Sequence, residues 1–455
     1  MRVSKLEKDI GIEVYASKLP GIGGKIRQFP EDFLVEEVLV DGSKAKISGV
    51  EAEAPKLAGG GRYLTCILVK RNWDTIRAVK KIAKRLGISP QRIQFAGIKD
   101  AKAVTAQYVS IRGIAPEQLG RVRVKGISLR PLGFSGETVF PHLLFGNQFR
   151  IIIRAVSHHP STIEKRLKNI QEELLNLGGV PNFFGHQRFG TVRPVTHLVG
   201  KFLVRNDLRR AALTFLARPS PYEHPESREA RKRLGDTQNF EEALRYFPSH
   251  LGYERSMLDY LAKKPNDFVG AFRRLPTKLC QLFVQAYQSF LFNRFLSERI
   301  KRGLPLNEAH VGDYAVNLDA NGLPTSGFTQ ATSQSLSKIN EAIKENKMVV
   351  AIPLVGFRQP PSGGIQGEIE REILEAERLV PQDFKVSSMP ETSAAGELRT
   401  AITPTVNLSI EEPSEDSANP HGQEVSLDFT LHRGCYATVV LREFMKPQNL
   451  IEAGF

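Results

Sequence analysis

Asp100 is the single acidic residue in the stretch FAGIKDAKAVTAQYVSI, residues 95–111. Lys99 and Lys102 flank it and Gly97 precedes it. The remaining residues are apolar, small, or neutral hydrogen-bonders such as Thr105 and Gln107. Neighbouring cations stabilise an ionised carboxylate. That state suits a nucleophile or an electrostatic stabiliser better than a general acid. A second reading stays open at this point, a turn-forming aspartate between solvated lysines.

A second stretch, PNFFGHQRFG (181–190), is denser in information. Phe183 and Phe184 are adjacent and lie between Asn182 and Gly185. Gln187, Arg188, Phe189 and Gly190 follow. Aromatic faces, amide edges and a guanidinium are what an unstacked nucleobase needs. The same phenylalanines are equally good core residues, and at least one of the three is expected to be only that.

Other chemistries fail on spacing. LPGIGGK (19–25) lacks the first glycine of a phosphate-binding loop, where Leu19 stands, and the Ser or Thr, where Ile26 stands. His158 and His159 are adjacent with no third ligand at metal-like spacing, so exposed loop histidines are expected. No G-x-S-x-G motif points to a serine hydrolase. Cys66, Cys280 and Cys435 are the only cysteines, far apart, which argues against zinc or a disulfide framework and for small buried residues.

Charge narrows the partner. Sixty-three Lys and Arg against 49 Asp and Glu give a net charge of +14, which favours nucleic acid or an anionic lipid surface. No apolar run approaches the roughly 18 residues of a membrane span, and MRVSKLEKDI has no signal-peptide character. The expected location is the cytoplasm, without membrane association.

The elements that must position these residues can be read from periodicity. At about 150 residues per domain, 455 residues suggest two or three domains. Strands are expected within 29–40, 62–70, 92–97, 103–113 and 148–156, with a loop at 51–61. Between them, Asp74 caps and Gly87 ends a helix with Ile76, Val79, Ile82, Ala83 and Leu86 on one face. Eight basic residues and one acid lie between Lys70 and Arg92. Spacing alone leaves two readings of that helix, a solvated surface or a phosphate-tracking stripe. A helix is expected at 161–177 and a mainly helical region from about 195 to 300, its longest helix spanning 278–303. Past 305, Gly and Pro interrupt the pattern. Residues 408–424 read as a polar, acidic loop, and 425–445 as strand, turn and short helix. Strand-rich ends around a helical middle suggest an inserted domain.

Taken together, these blocks resemble the TruD-type pseudouridine synthases in an archaeal-like form. The resemblance rests on Gly97-x-Lys99-Asp100 followed by Ala103-x-Thr105-x-Gln107, and on PEDFLVEE (30–37), NFFGHQRFG (182–190), AYQSFLFNRFLSER (286–299) and GCYATVVLRE (434–443), in the family's order. Residues 305–390 and the connection after Leu408 match none of its motifs. The resemblance implies an α+β fold with a mixed, largely antiparallel catalytic sheet split as 1–207 and 401–455. A mainly helical α/β domain is inserted at 208–400. It implies isomerisation of uridine to pseudouridine in tRNA, characteristically at position 13, with Asp100 as the catalytic residue. It also places Phe33, Asn182 and Tyr436 at the substrate, Tyr436 standing where several relatives carry Phe. Lys25 is the expected supporting lysine.

The reaction breaks the C1′–N1 bond, turns the base and rejoins it through C5. No atom is gained or lost, so no metal or other cofactor is expected. Phe184 and Arg188 are expected beside the extruded base, and Lys99 and Lys102 near phosphate or sugar. Lys80, Lys81, Lys84 and Arg85 are the expected RNA-phosphate contacts. A monomer without an obligate protein partner is expected, since no apolar stripe is left spare. The competing readings are a non-catalytic RNA-binding protein or chaperone, and an enzyme acting on a free nucleoside or nucleotide sugar.

Overall fold

The computed structural model describes residues 3–49 and 59–455. Most of the expected 51–61 loop lies outside the described residues, and its end, from Gly59, belongs to a strand. The first third of the chain supplies β1 (Phe33–Leu39), β2 (Gly59–Arg71), β3 (Ile93–Phe95), β4 (Val104–Arg112), β5 (Ile127–Ser135) and β6 (Leu144–Val156). A short β7 (Val180–Pro181) follows the helix Pro160–Asn176. Helices then dominate from Thr196 to Lys301, the longest being Thr277–Lys301. Next come β8 (Tyr314–Leu318), β9 (Pro324–Gln330), β10 (Met348–Leu354) and β11 (Glu397–Thr400). The chain returns through β12 (Ile402–Thr403), β13 (Val406–Ile410), β14 (Ser414–Glu415) and β15 (Gln423–His432), and the helix Ala437–Met445 follows.

Both ends of the chain build one nine-stranded sheet, in the order β13-β15-β6-β1-β4-β2-β5, with β14 on β15 and β3 on β4. Only β1 and β4 are parallel within it. This is the mixed, largely antiparallel sheet of an α+β fold. Register stacks aromatics across neighbouring strands. Phe149 faces Val35 on one side and Phe429 on the other. The helices Pro160–Asn176 and Ala437–Met445 share this core through Leu167, Ile170, Leu441 and Phe444. A separate antiparallel sheet, β11-β10-β8-β9, packs with the helix Thr277–Lys301. The pair β7–β12 ties the two halves, Ile402 facing Pro181 and Thr403 facing Val180. Among the described residues no helix is long and apolar enough to cross a membrane.

The helix Thr75–Leu86 starts and stops as its sequence directs. The Asp74 carboxylate accepts from the Arg77 N–H, and Gly87 closes it at φ 70°. Such an N-cap contributes about 1 kcal/mol. Ile76 is a correction to the expected apolar face. It is 43% exposed, because Thr75 and Ala78 take the inward positions instead. Residues 305–390, read as broken, hold three strands and two helices. Gly312, Gly322, Gly356, Pro360, Pro361 and Gly363 sit between these short elements, while Gly327, Pro353 and Gly367 lie within them.

The 408–424 segment is more than a polar loop. It carries β14 and the buried Asp416. Arg154 is clamped by Asp32 (2.7 Å), Asp416 (3.0 Å) and Glu424. The network joins the turn before β1 to the loop before β15. Hydrogen bonds outweigh burial at Asp416. Burial raises its pKa, but N–H donors of Ala155 and Ala418, with Asn419 and Arg154, bring it down to about 2.

Candidate active site

Asp100 lies in the connection between β3 and β4, its side chain 32% exposed. Its Oδ1 accepts a hydrogen bond from Arg27 Nη2 at 3.1 Å. Arg27 is held on two more sides. Its Nη1 donates to the Gly454 carbonyl at 3.0 Å, and its guanidinium lies 4.0 Å from the Phe33 ring centroid. Burial pushes the Arg27 pKa down while the Asp100 charge opposes that shift.

The loop carrying Asp100 is fastened from beneath. Lys70 ends the apolar run of β2, and its Nζ donates to the main-chain carbonyls of Asp100 (2.6 Å) and Lys99 (3.3 Å). Thr75 Oγ accepts from the Lys99 N–H at 3.1 Å, and Gln107 Nε2 donates to the Gly97 carbonyl at 3.0 Å. Burial pushes Lys70 down to about 8, with Asp100 and Asp74 opposing and Lys99 adding to the shift. Lys99 does not face phosphate or sugar as expected. Its ammonium turns inward to Glu37 (2.7 Å) and Asn147 (2.6 Å), and Glu37 in turn accepts from the Tyr108 N–H. Lys102 is exposed.

A second cluster gathers Asn182, Phe184, Arg188 and Tyr436 with a residue the sequence did not suggest, Arg399. Asn182 Oδ1 accepts from Arg399 Nη2 at 2.6 Å, and its Nδ2 donates to Thr400 Oγ at 2.8 Å. Each end of the amide retains one further hydrogen-bonding capacity. The Phe184 ring lies 3.9 Å from the Arg399 guanidinium and 5.6 Å from that of Arg188. Tyr436 meets Phe184 edge-on, ring centroids 6.2 Å apart. Burial raises the Tyr436 hydroxyl pKa, and the charges of Arg188 and Arg399 work against it. Gly185 is required here. A Cβ on it would come within 3.0 Å of the Tyr436 ring and 2.9 Å of Thr438 Oγ. Asn182, Phe184, Arg188 and Arg399 line a cavity of about 970 Å³ between the two sheets.

The structure therefore brings the expected residues into two neighbouring groups. Phe33 belongs with Asp100 and Arg27, and Tyr436 belongs with Asn182 and Phe184. Asp100 is not in the cavity wall, and the hydrogen bonds of Asn182 go to Arg399, Thr400 and Ala401. The groups sit on different cores, Phe33 and Ala103 on one and Phe184 and Tyr436 on the other, and the chain links them at Ala437, which follows Tyr436 and belongs to the core of Phe33. Phe33 is only 1% exposed, and Arg27 covers its face. Phe183 and Phe189 are fully buried core residues. Cys435, expected to be buried, is only half-buried and lines the cavity.

Lys25 is a correction. Its main chain bridges Arg154, but its side chain is exposed, and the cation on Asp100 is Arg27. Lys80, Lys81, Lys84 and Arg85 are all exposed on the helix Thr75–Leu86. Among the described residues none of them has an acidic partner. Sequence signals existed for two of the missed residues. Arg27 sits two positions past Lys25 in GKIRQFPEDF, and Lys70 interrupts an apolar strand.

Comparison with known proteins places this geometry. Residues 9–444 match the family model described as "TruD: tRNA pseudouridine synthase D (TruD)". A tRNA pseudouridine synthase D of Methanosarcina barkeri is 40% identical over 99% of both chains. That of Thermococcus onnurineus is 40% identical over 95% of this chain and 97% of its own. A crystal structure of the TruD protein from Methanosarcina mazei superposes with a TM-score of 0.83 at 38% identity. It covers 98% of this chain and 99% of that one. With a family match across nearly its whole length and a fold to correspond, the chain belongs to the TruD family of tRNA pseudouridine synthases.

Proposed function

We propose that Asp100 carries the isomerisation of uridine to pseudouridine in tRNA, at position 13, on a nucleotide swung out of its stack. The observation that carries this reading is the pairing of a solvent-reachable Asp100 carboxylate with the buried Arg27 guanidinium. The guanidinium orients the carboxylate and leaves its other oxygen free to face the ribose.

In one route an Asp100 oxygen forms a bond to C1′ as the C1′–N1 bond breaks, and the electron pair leaves on the uracil. In the other, the carboxylate removes a sugar proton as the same bond breaks, giving a glycal. The base then turns, and C5 bonds to C1′ as the Asp100–C1′ bond breaks in the first route, or as Asp100 returns the proton to the sugar in the second; the C5 proton is then lost and N1 gains one. Charge and atoms balance without a cofactor. Asn182 takes the polar edge of the uracil and the Tyr436 ring packs beside it. Phe33 acts from below by supporting Arg27. The exposed cations Lys80, Lys81, Lys84 and Arg85 track RNA phosphates.

The inserted domain is read as 208–400, between catalytic segments 1–207 and 401–455, and it clamps RNA against the catalytic sheet. The helix Thr196–Val204 packs so tightly on Thr277–Lys301 that a Cβ at Gly200 would lie 1.9 Å from the Phe283 carbonyl oxygen. The packing of the insert thus starts ahead of residue 208. The chain is read as a monomer working in the cytoplasm without an obligate protein partner.

Release of tritium from 5-tritiated uridine in tRNA tests the assignment. Wild type liberates label; Asp100→Asn folds, binds tRNA and liberates none. Substantial turnover by Asp100→Asn removes Asp100 from the chemistry. Release from free uridine would favour the small-molecule reading.

A further inference from the structure

Two guanidiniums face the cavity between the sheets, and among the described residues neither makes an ion pair, although Glu397 lines the same cavity. Arg399 Nε and Nη2 donate to the Asn182 carbonyl (3.0 Å) and Oδ1 (2.6 Å), and Nη2 also reaches the Gly434 carbonyl (3.1 Å). Arg188 Nε donates to Ser289 Oγ (3.2 Å) and Nη2 to Gln285 Oε1 (3.4 Å). Every one of these acceptors is neutral. Among the described residues neither arginine has a carboxylate within 4.0 Å. The arginines with the most buried side chains, Arg27, Arg154, Arg231, Arg299 and Arg442, are each paired with Asp or Glu, whereas half-buried Arg166 and Arg255, like the cavity pair, bond to neutral acceptors.

Burial lowers the pKa of both cavity arginines and the Arg188 charge adds to the effect at Arg399, while Tyr436 and Glu397 oppose the shift at both. A half-buried cation left unpaired is costly unless something bound supplies the opposite charge. The Nη1 group of each is uncommitted, so the pair can present N–H donors to one tetrahedral anion. Arg399 comes from β11 of the second sheet, whereas Arg188 lies next to β7, ahead of the helices. A single anion between them would bridge the two halves of the molecule.

We propose that Arg188 and Arg399 form a subsite for one phosphodiester group of the bound RNA, beside Asn182 and Tyr436. The inference rests on the RNA-modifying reading above and adds the point at which the insert grips the substrate backbone. Both guanidiniums pack on Phe184, 5.6 Å and 3.9 Å from its ring centroid, so the two charges lie within reach of one side chain.

The test uses full-length protein carrying Asp100→Asn, so that binding is read without turnover. Dissociation constants for full-length tRNA are measured across a salt series for this parent and for Arg188→Gln, Arg399→Gln and Arg399→Lys added to it. Each Gln variant is expected to weaken binding about tenfold and to reduce the slope of log Kd against log salt by about 0.7–0.9, one phosphate contact. Arg399→Lys keeps the charge but loses the fork on Asn182, so it should retain the parent slope. An unchanged slope in both Gln variants overturns the subsite. So does an Arg399→Lys slope that falls as far as that of Arg399→Gln, which marks a role in holding Asn182 only. If Arg399→Gln does not fold, Arg188→Gln decides alone. The outcome is separable from the catalytic assignment, which stands or falls on tritium release by Asp100→Asn.

Discussion

The Lys70 ammonium lies 2.6 Å from the main-chain carbonyl oxygen of Asp100. A buried lysine thus holds the backbone of the loop that carries Asp100 while Arg27 holds its carboxylate. Position and charge are set by different cations, and substitutions separate them.

Lys70→Met removes the donor beneath two consecutive carbonyls. The single-turnover rate should fall about a hundredfold, the order seen when a reacting group is misplaced by about 1 Å. The tRNA dissociation constant should change less than threefold, since Lys70 is buried. Equal losses in rate and binding would contradict a positioning role.

Lys70 also makes a pH prediction. Its folded pKa, about 8, lies below the ordinary lysine value of 10.5. Between those values the unfolded chain binds more protons, so this residue's contribution to stability rises with pH across the window. Activity moves the opposite way. As the ammonium loses its proton through about pH 8, its grip on the Asp100 carbonyl weakens and the rate falls. Lys70→Arg, charged throughout, should lack that alkaline limb. A pH–rate profile of the two proteins checks it.

Arg27→Gln leaves Asp100 without its ion pair and uncovers Phe33. A loss in kcat of about a hundredfold or more is expected, comparable to removal of one fixed electrostatic donor. Arg27→Lys, with the charge but without the fork that also reaches Gly454, should fall between the two. Steady-state tritium release provides the comparison.

Asp416→Asn strikes the network that joins the 408–424 segment to the turn before β1. Thermal unfolding should show a loss of about 2 kcal/mol, the range for hydrogen bonds to a charged group. Because the folded pKa is depressed from 3.8 to about 2, the contribution is fully present above 3.8 and is lost as pH falls towards 2. Wild type and Asp416→Asn should therefore converge in stability in that acid window.

Reversal of charge at Lys80, Lys81, Lys84 and Arg85 should weaken tRNA binding and flatten its salt dependence, with the Asp100 chemistry untouched. Salt-series binding measures this, and an unchanged slope returns the helix to an ordinary solvated surface.

What the sequence made legible follows from how far each signal reaches. Asp74 and Gly87 announce their helix because capping is a local event. The strands around Asp100 show in the run of β-branched residues, and the motif order carried the fold class. Arg399 was invisible for the opposite reason. It lies far along the chain from Asn182, and no spacing rule connects a residue of one sheet to a turn beside another. Ile76 went astray because a helix face is assigned by period alone, whereas a one-residue rotation decides which side meets the core. Lys99 and Arg27 show the same limit at shorter range. A charge beside Asp100 in sequence pointed away from it, and one from a distant turn pointed in.

The closing of the large sheet has a consequence for how the protein is made. The strand that belongs beside β6 is β15, and the intervening insert must leave the ribosome first. At 5–20 residues per second that interval is on the order of tens of seconds. Throughout it β6 presents unpaired main-chain groups, a template for wrong partners. The carbonyl of Gly454, which steadies Arg27, arrives later still. A nascent chain thus has no complete reactive centre, and chaperone demand should peak while that gap waits to be filled.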